Sequence, residues 1–144
     1  MRTQVGIIGA GPAGLMLARI LHLQGISSII IENRSRDYIE NRIRAGLIEH
    51  WAAELLVELG VGERMLREGL PHSGTNIGIN GELHHLDFEE LTGKHITVYG
   101  QQEVVKDMVA RRLADGCDLL FEVSDVPVHD LKSNALKINF THDG

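Results

Sequence analysis

Apolar residues recur along the chain with two different periods, and the switches between them mark its elements. Residues 3–8 are a short run rich in β-branched side chains, the pattern of a strand covered on both faces. From 12 to 24 the spacing becomes helical. Leu15, Leu17, Ala18 and Leu21, joined by Met16 and Ile20, make a broad apolar face, and Gly25 stands where a helix C-cap belongs. Ser28-Ile29-Ile30-Ile31 restores the buried-strand pattern and runs into Glu32. Strand, glycine turn, helix and strand thus fit within 32 residues, which predicts a βαβ unit with parallel strands.

Residues 33–46 are polar and carry Arg34, Arg36, Arg42 and Arg44. Helical spacing resumes through Leu47, Trp51, Leu55, Leu56 and Leu59 and stops at Gly60, predicting a helix over 47–59 with Trp51 on its apolar face. A shorter helix is expected over 62–67. Residues 75–79 and 82–87 flank Asn80-Gly81, a strong signal for a two-residue hairpin turn. Residues 96–99 read as a strand. Gln101 to Ala114 reads as an amphipathic helix with Val104, Val105, Met108, Val109 and Leu113 on one side, ended by Gly116. Residues 119–123 suggest a third parallel strand. Residues 126–131 and 136–141 suggest the start of a β-meander turning near Ser133-Asn134, with another turn at His142-Asp143-Gly144.

The fold class that follows is α/β: a Rossmann-like βαβ with a parallel sheet, plus a β-hairpin and meander. Within one region of 144 residues the parts are the βαβ unit (1–32), a loop with helices (33–70), the hairpin (74–87), strand-helix-strand (96–123) and the meander (125–142).

Charge and cysteine usage narrow the function. The net charge is −6 with no basic run, which argues against nucleic acid and anionic membrane surfaces as partners. Cys117 is the only cysteine, so an intrachain disulfide and a cysteine-based metal site are excluded and a cytoplasmic setting fits. His84 and His85 are adjacent in a predicted strand and face opposite ways, so no metal is expected there. Gly9, Gly11, Pro12 and Gly14 interrupt the apolar N-terminus. The run falls short of the about 7–15 residues of a signal peptide and the about 20 of a membrane span.

Gly9-Ala10-Gly11-Pro12-Ala13-Gly14 satisfies G-x-G-x-x-G between a predicted strand and helix, and Glu32 ends the next strand 18 residues beyond Gly14. The first glycine permits the tight turn, the second lets backbone approach a pyrophosphate, and the third lets helix and strand pack closely. Helix amides and the positive helix end then face the phosphates, and Glu32 can accept hydrogen bonds from ribose hydroxyls. The motif does not separate FAD from NAD. Arg42 and Arg44, two apart in an extended stretch, point to the same side and suit a diphosphate. A solvated basic loop matches that spacing equally well.

A wider set of residues changes the balance. Gln4-Val5, Ile7-Ile8-Gly9-Ala10-Gly11-Pro12, Gly25-Ile26, Asp37-Tyr38, Arg42-Ile43-Arg44-Ala45-Gly46, Arg67, Gly69-Leu70, His72 and Thr97-Val98-Tyr99-Gly100-Gln101 resemble the class A FAD-dependent aromatic hydroxylases, in particular those acting on 4-hydroxybenzoate. The resemblance runs from Met1 to about Leu131. It implies a Rossmann-like FAD-binding fold with tightly held FAD as cofactor. NADPH or NADH is the implied electron donor, and a small aromatic substrate, 4-hydroxybenzoate or a close analogue, is converted to 3,4-dihydroxybenzoate with O₂. It places Gly9, Gly11, Ala13, Gly14, Glu32, Arg42, Arg44, Ala45, Gly46, Leu47 and Gln101 at FAD, and makes His72 the end of a proton relay for the phenol. Arg34 and Tyr38 become NAD(P)H contacts; Asn33 stands where the family commonly has an arginine, and Ala13 where it has a serine.

In that family the Asp-Gly and Gly-Asp motifs and the substrate-binding residues follow the region matched here. The 144 residues by themselves are therefore expected to be inactive, with the first strand an exposed sheet edge that favours self-association, and a homo-oligomer is expected. A non-catalytic FAD-binding or interaction module is the alternative, as is an NAD-dependent dehydrogenase domain. Nothing in a plain nicotinamide-binding half requires the arginine segment or Tyr99-Gly100-Gln101.

Overall fold

The computed structural model describes residues 1–133 and 136–142. They form two compact units, Met1–Arg42 with Met108–Gly144, and Ile43–Asp107. In the first unit, β1 (Val5–Ile8), α1 (Pro12–Leu23) and β2 (Ser28–Ile31) are followed by the short helix α2 (Arg36–Asn41). The second unit holds β3 (Leu47–Glu49), α3 (His50–Glu58), α4 (Glu63–Glu68), β4 (Leu70–His72), β5 (Gly74–Ile79), β6 (Glu82–Asp87), α5 (Phe88–Thr92) and β7 (Ile96–Val98). The division falls within α6 (Gln101–Ala114), and the chain closes the first unit with β8 (Leu119–Leu120), β9 (Val128–His129) and β10 (Lys137–Ile138).

The first unit is a parallel sheet in the order β1-β2-β8, with Val5 opposite Ser28 and Ile8 opposite Ile31. α1 packs on β1 and β2 and buries Leu15 and Ala18. Burying Leu15 alone contributes about 2 kcal/mol. The helix ends as its sequence dictates: Gly25 takes φ +70°, and Ile26 N reaches back to Leu21 O at 2.9 Å. The third strand is shorter than its apolar run, because Glu122 adopts φ +57° and breaks the extension. The ladder still continues around Glu32, whose N–H donates to Leu120 O and whose carbonyl accepts from Val123 N. Arg112 is buried on α6 and donates to Ser28 Oγ at 3.2 Å and to the carbonyls of Ser28 and Asp118, fastening helix to sheet. β9 and β10 pair antiparallel, and Ile138 lies over Gly6, where a Cβ would fall 2.6 Å from its Cδ1. Asn134 of the expected turn, and Asp143 and Gly144 of the last one, lie outside the described residues.

The second unit corrects one expectation. The helix foreseen over 47–59 begins only at His50; Leu47–Glu49 is a strand, antiparallel to β7 in the order β3-β7-β4. Local spacing was compatible with helix, but β7 offers an open ladder that this segment fills, a long-range gain that outweighs propensity. Trp51 is also not on the apolar face: it is 60% exposed and donates from Nε1 to Glu49, while Leu56 and Leu59 are buried. β5 and β6 pair from Gly74–Asp87 to Ile79–Glu82 around Asn80 (φ +51°) and Gly81 (φ +87°), the paired left-handed residues of a type I′ turn.

A polar cluster ties α4 to the β7–α6 junction. Arg64 donates to Asp107 at 2.8 Å and Glu103 at 2.6 Å, and Tyr99 Oη donates to Asp107 at 2.7 Å. Burial alone would lower the Arg64 pKa, but the two carboxylates outweigh it and hold the guanidinium charged well above its ordinary value. Burial first, then the bond to Asp107, pushes the Tyr99 phenol well above its ordinary range. Lys106 and Arg64 hold the Glu103 carboxyl low.

Candidate functional site

The glycine turn sits between β1 and α1, and each of its glycines answers a different demand. Gly9 adopts φ +104°, which favours glycine whatever the surrounding space. At Gly14 a Cβ would lie 2.1 Å from the Gly9 carbonyl oxygen, so helix and turn meet with no room for a side chain. Gly11 has neither constraint: its φ of −74° is ordinary and a Cβ would meet nothing within 4 Å. As N-cap of α1 it accepts from Leu15 N at 3.0 Å, which leaves the amides of Ala13 and Gly14 in the open first turn. Ala13 is exposed there.

Glu32 stands at the end of β2, 8% exposed, and its carboxylate closes the turn. Oε2 accepts from Ala10 N at 2.8 Å and Oε1 from Arg34 N at 2.9 Å. Beyond it, Ser35 Oγ caps α2 by accepting from Tyr38 N at 3.2 Å. The Arg34 and Arg42 guanidinium groups lie 5.3 and 5.6 Å from the Tyr38 ring centroid. Both arginines are exposed, so this unit brings two cations and an aromatic face together beyond β2. That grouping was not legible from spacing.

The remaining expected residues belong to the second unit. Arg44 and Ala45 are exposed in the irregular segment that leads into β3. Gly46 is pressed onto backbone: Tyr99 N donates to its carbonyl at 2.8 Å, and a Cβ would lie 2.7 Å from both Gly100 Cα and Tyr99 O. Leu47 pairs with Val98. The contact therefore gathers Arg44, Ala45, Gly46 and Leu47 beside the residues that lead into Gln101, the first residue of α6. His72 is exposed at the end of β4, in register with Ile96. Tyr99 lies in the Thr97–Gln101 segment, but nothing in the sequence marks its cluster with Asp107 and Arg64.

These residues fit a dinucleotide cofactor. The open position at Gly11, the free first turn of α1 and a buried carboxylate at the end of β2 form a cradle for pyrophosphate and ribose. Among the described residues no group of histidine, cysteine and acidic side chains could hold a metal, and no helix is long and apolar enough to cross a membrane.

An α/β unit with this turn and this carboxylate is a dinucleotide-binding one, and comparison with known proteins states which. The model of the FAD binding domain family matches residues 2–138. The chain belongs to that family. It is 46% identical over 145 aligned positions to the p-hydroxybenzoate hydroxylase of Acinetobacter baylyi, covering all of this chain and 36% of that enzyme. Among solved structures, the anhydrotetracycline hydroxylase OxyS of Streptomyces rimosus superposes with a TM-score of 0.83 at 26% identity, over 99% of this chain and 29% of that one. The p-nitrophenol 4-monooxygenase PnpA of Pseudomonas putida gives 0.81 at 19% identity, over 96% and 36%, which shows the fold alone. The chain thus spans about a third of the length of the hydroxylase it matches.

Proposed function

We propose that this chain is the FAD-binding part of a flavoprotein monooxygenase that hydroxylates 4-hydroxybenzoate to 3,4-dihydroxybenzoate with a nicotinamide donor and O₂. One observation carries the cofactor assignment. Gly9 and Gly14 are required by the fold, but Gly11 is required only if something approaches its bare Cα. The 46% identity to a p-hydroxybenzoate hydroxylase across the whole chain supports the substrate class.

In this reading the amides of Ala13 and Gly14 meet the pyrophosphate, with Gly9 and Gly11 giving the turn its shape. The free lone pairs of Glu32 accept from ribose hydroxyls while its two oxygens hold the Ala10 and Arg34 amides. Arg42, Arg44, Ala45, Gly46, Leu47 and Gln101 complete the FAD contacts, the arginines through charge and the rest through backbone and side-chain polar groups. When bound, FAD supplies the redox chemistry that takes hydride from the donor and activates O₂. The face of Tyr38 with Arg34 fits the adenosine phosphate of NADPH, and NADH is the alternative donor because Asn33 supplies no charge. His72, exposed at a strand end, passes the phenolic proton to water, which favours the more reactive phenolate.

The test is the visible spectrum of the purified chain after incubation with FAD and desalting. Flavin bands at about 370 and 450 nm that co-elute with native protein, and are lost in Gly11→Val, support the cofactor site. A colourless protein under saturating FAD overturns the claim that these residues suffice to hold it.

A further inference from the structure

We propose that Asn80 is a site of spontaneous deamidation in the folded chain, and that its product opens the β5–β6 hairpin. The site lies in the second unit and is independent of the cofactor reading. Asn80 is the only asparagine of the chain followed by glycine. Cyclisation of an asparagine takes the next residue's backbone nitrogen as its nucleophile, and a side chain on that residue obstructs the approach. Gly81 has none, and the place its Cβ would take has no atom within 4 Å. Asn80 and Gly81 are both exposed, at φ +51° and +87°. A β-turn closes through the N–H of its fourth residue, here Glu82, so the closure does not occupy the Gly81 nitrogen.

Reaction also needs the turn to loosen, since its backbone angles fix how Asn80 presents its amide to that nitrogen. The hairpin offers little resistance. β5 and β6 form a two-stranded sheet of their own, and residues 75–86 are all exposed, so neither face is covered. A hairpin without a packed face is marginal in water, and such segments open locally at low free energy. Asn76 supplies the contrast within the same hairpin. It is exposed as well, but the β-branched Ile77 follows it and its Oδ1 lies 2.9 Å from His85 Nδ1.

The reaction balances with water alone. The Gly81 nitrogen gives its proton to hydroxide and attacks Asn80 Cγ. The N–Cγ bond forms, the Cγ–Nδ2 bond breaks, and Nδ2 takes a proton from water and leaves as ammonia. Water then opens the succinimide. Cleavage between Cγ and the Gly81 nitrogen gives aspartate; cleavage between the Asn80 backbone carbonyl carbon and that nitrogen gives isoaspartate. No atom is oxidised or reduced. Isoaspartate carries the main chain through Cβ and Cγ and lengthens it by one methylene. A two-residue loop has no place for that atom, so the Ile79–Glu82 pair that closes the hairpin is lost, and the register with it.

The native chain, the same chain in urea and an Asn80→Gly variant are aged at mildly alkaline pH, digested under acidic conditions and mapped by mass spectrometry. Chromatography separates isoaspartate from aspartate. Asn80→Gly removes the amide and keeps a residue suited to the left-handed turn. Native Asn80 is expected to exchange its NH₂ for OH within about tenfold of the rate in urea, while Asn76 stays intact. Amide hydrogen exchange at Ile79 and Glu82 should quicken as isoaspartate accumulates, and hold its starting rate in aged Asn80→Gly. A native Asn80 still intact when the unfolded chain has converted overturns the proposal. Equal conversion at Asn76 does so too, as does isoaspartate that leaves exchange across the hairpin unchanged.

Discussion

Glu32 is placed to be a latch before it is a ligand, and the size of that latch can be worked out. The residue is 8% exposed, and its carboxylate accepts from the amides of Ala10 and Arg34 at 2.8 and 2.9 Å. Hydrogen bonds to a charged acceptor are worth about 1.5–3 kcal/mol each, and a buried donor left without one incurs the desolvation cost in full. Ala10 is fully buried, whereas Arg34 is exposed and water can replace its partner. Glu32→Ala should therefore cost about 2–4 kcal/mol, dominated by the Ala10 amide. Glu32→Gln keeps one carbonyl oxygen but turns an NH₂ toward the second donor, so it should cost about 1–3 kcal/mol. For a chain of 144 residues this corresponds to a melting temperature lower by about 7–13 °C in the alanine variant. Urea denaturation followed by far-ultraviolet circular dichroism measures it directly, with the slope against denaturant unchanged if only stability has moved. An alanine variant within about 0.5 kcal/mol of native would refute the latch, since surface substitutions fall in that range.

The glycines give a sharper contrast. Gly14→Ala drives a Cβ to within 2.1 Å of the Gly9 carbonyl and should lower the denaturation midpoint severely. Gly11→Ala meets nothing within 4 Å and should fold like the native chain while weakening FAD binding, read by flavin fluorescence quenching. Tyr99→Phe removes the bond to Asp107 and should cost about 1–2 kcal/mol at neutral pH. Because burial and Asp107 raise the folded-state pKa of the phenol, this contribution is complete below about pH 10 and fades as pH rises through the raised folded value. The gap between native and Tyr99→Phe midpoints should shrink only at strongly alkaline pH; a gap that closes between pH 6 and 9, roughly, contradicts the assignment. Finally, β1 pairs only with β2 among the described residues, and Ile8 on it is 55% exposed. Self-association should therefore appear in sedimentation, and a monodisperse monomer at moderate concentration excludes it.

Elements whose determinants are local were legible, and those that answer a distant partner were not. The βαβ unit could be read because α1 needs only its own periodicity and Gly25, and the hairpin because Asn80-Gly81 fixes its own turn. Leu47–Glu49 could not, since only pairing with β7, far along the chain, makes it a strand. α2 escaped notice because six residues with no buried side chain leave no apolar stripe; the Ser35 cap was its one local mark. Arg112 gave no sign of burial, because its acceptors, Ser28 and the Asp118 carbonyl, come together only in the fold.

The site shows the same division in a form that matters for reading such motifs. A turn of three glycines followed by an acid is usually taken as a ligand signature, yet here folding alone accounts for most of it. Gly9 has its backbone angle, Gly14 its collision, and Glu32 its two amides. A chain that had lost its cofactor would still be held to those three residues by stability. Gly11 is the exception, open in front and ordinary in conformation, so nothing within the described structure prevents a side chain there. Of the motif's positions it is the one whose identity carries information about a ligand. In the second unit Arg44 stands in the same relation to Gly46: the glycine is demanded by Gly100, whereas the exposed arginine needs a reason from outside the fold. Residues that the fold leaves free are therefore where binding should be tested first, and a substitution that spares stability but abolishes flavin retention separates the two roles at a single position.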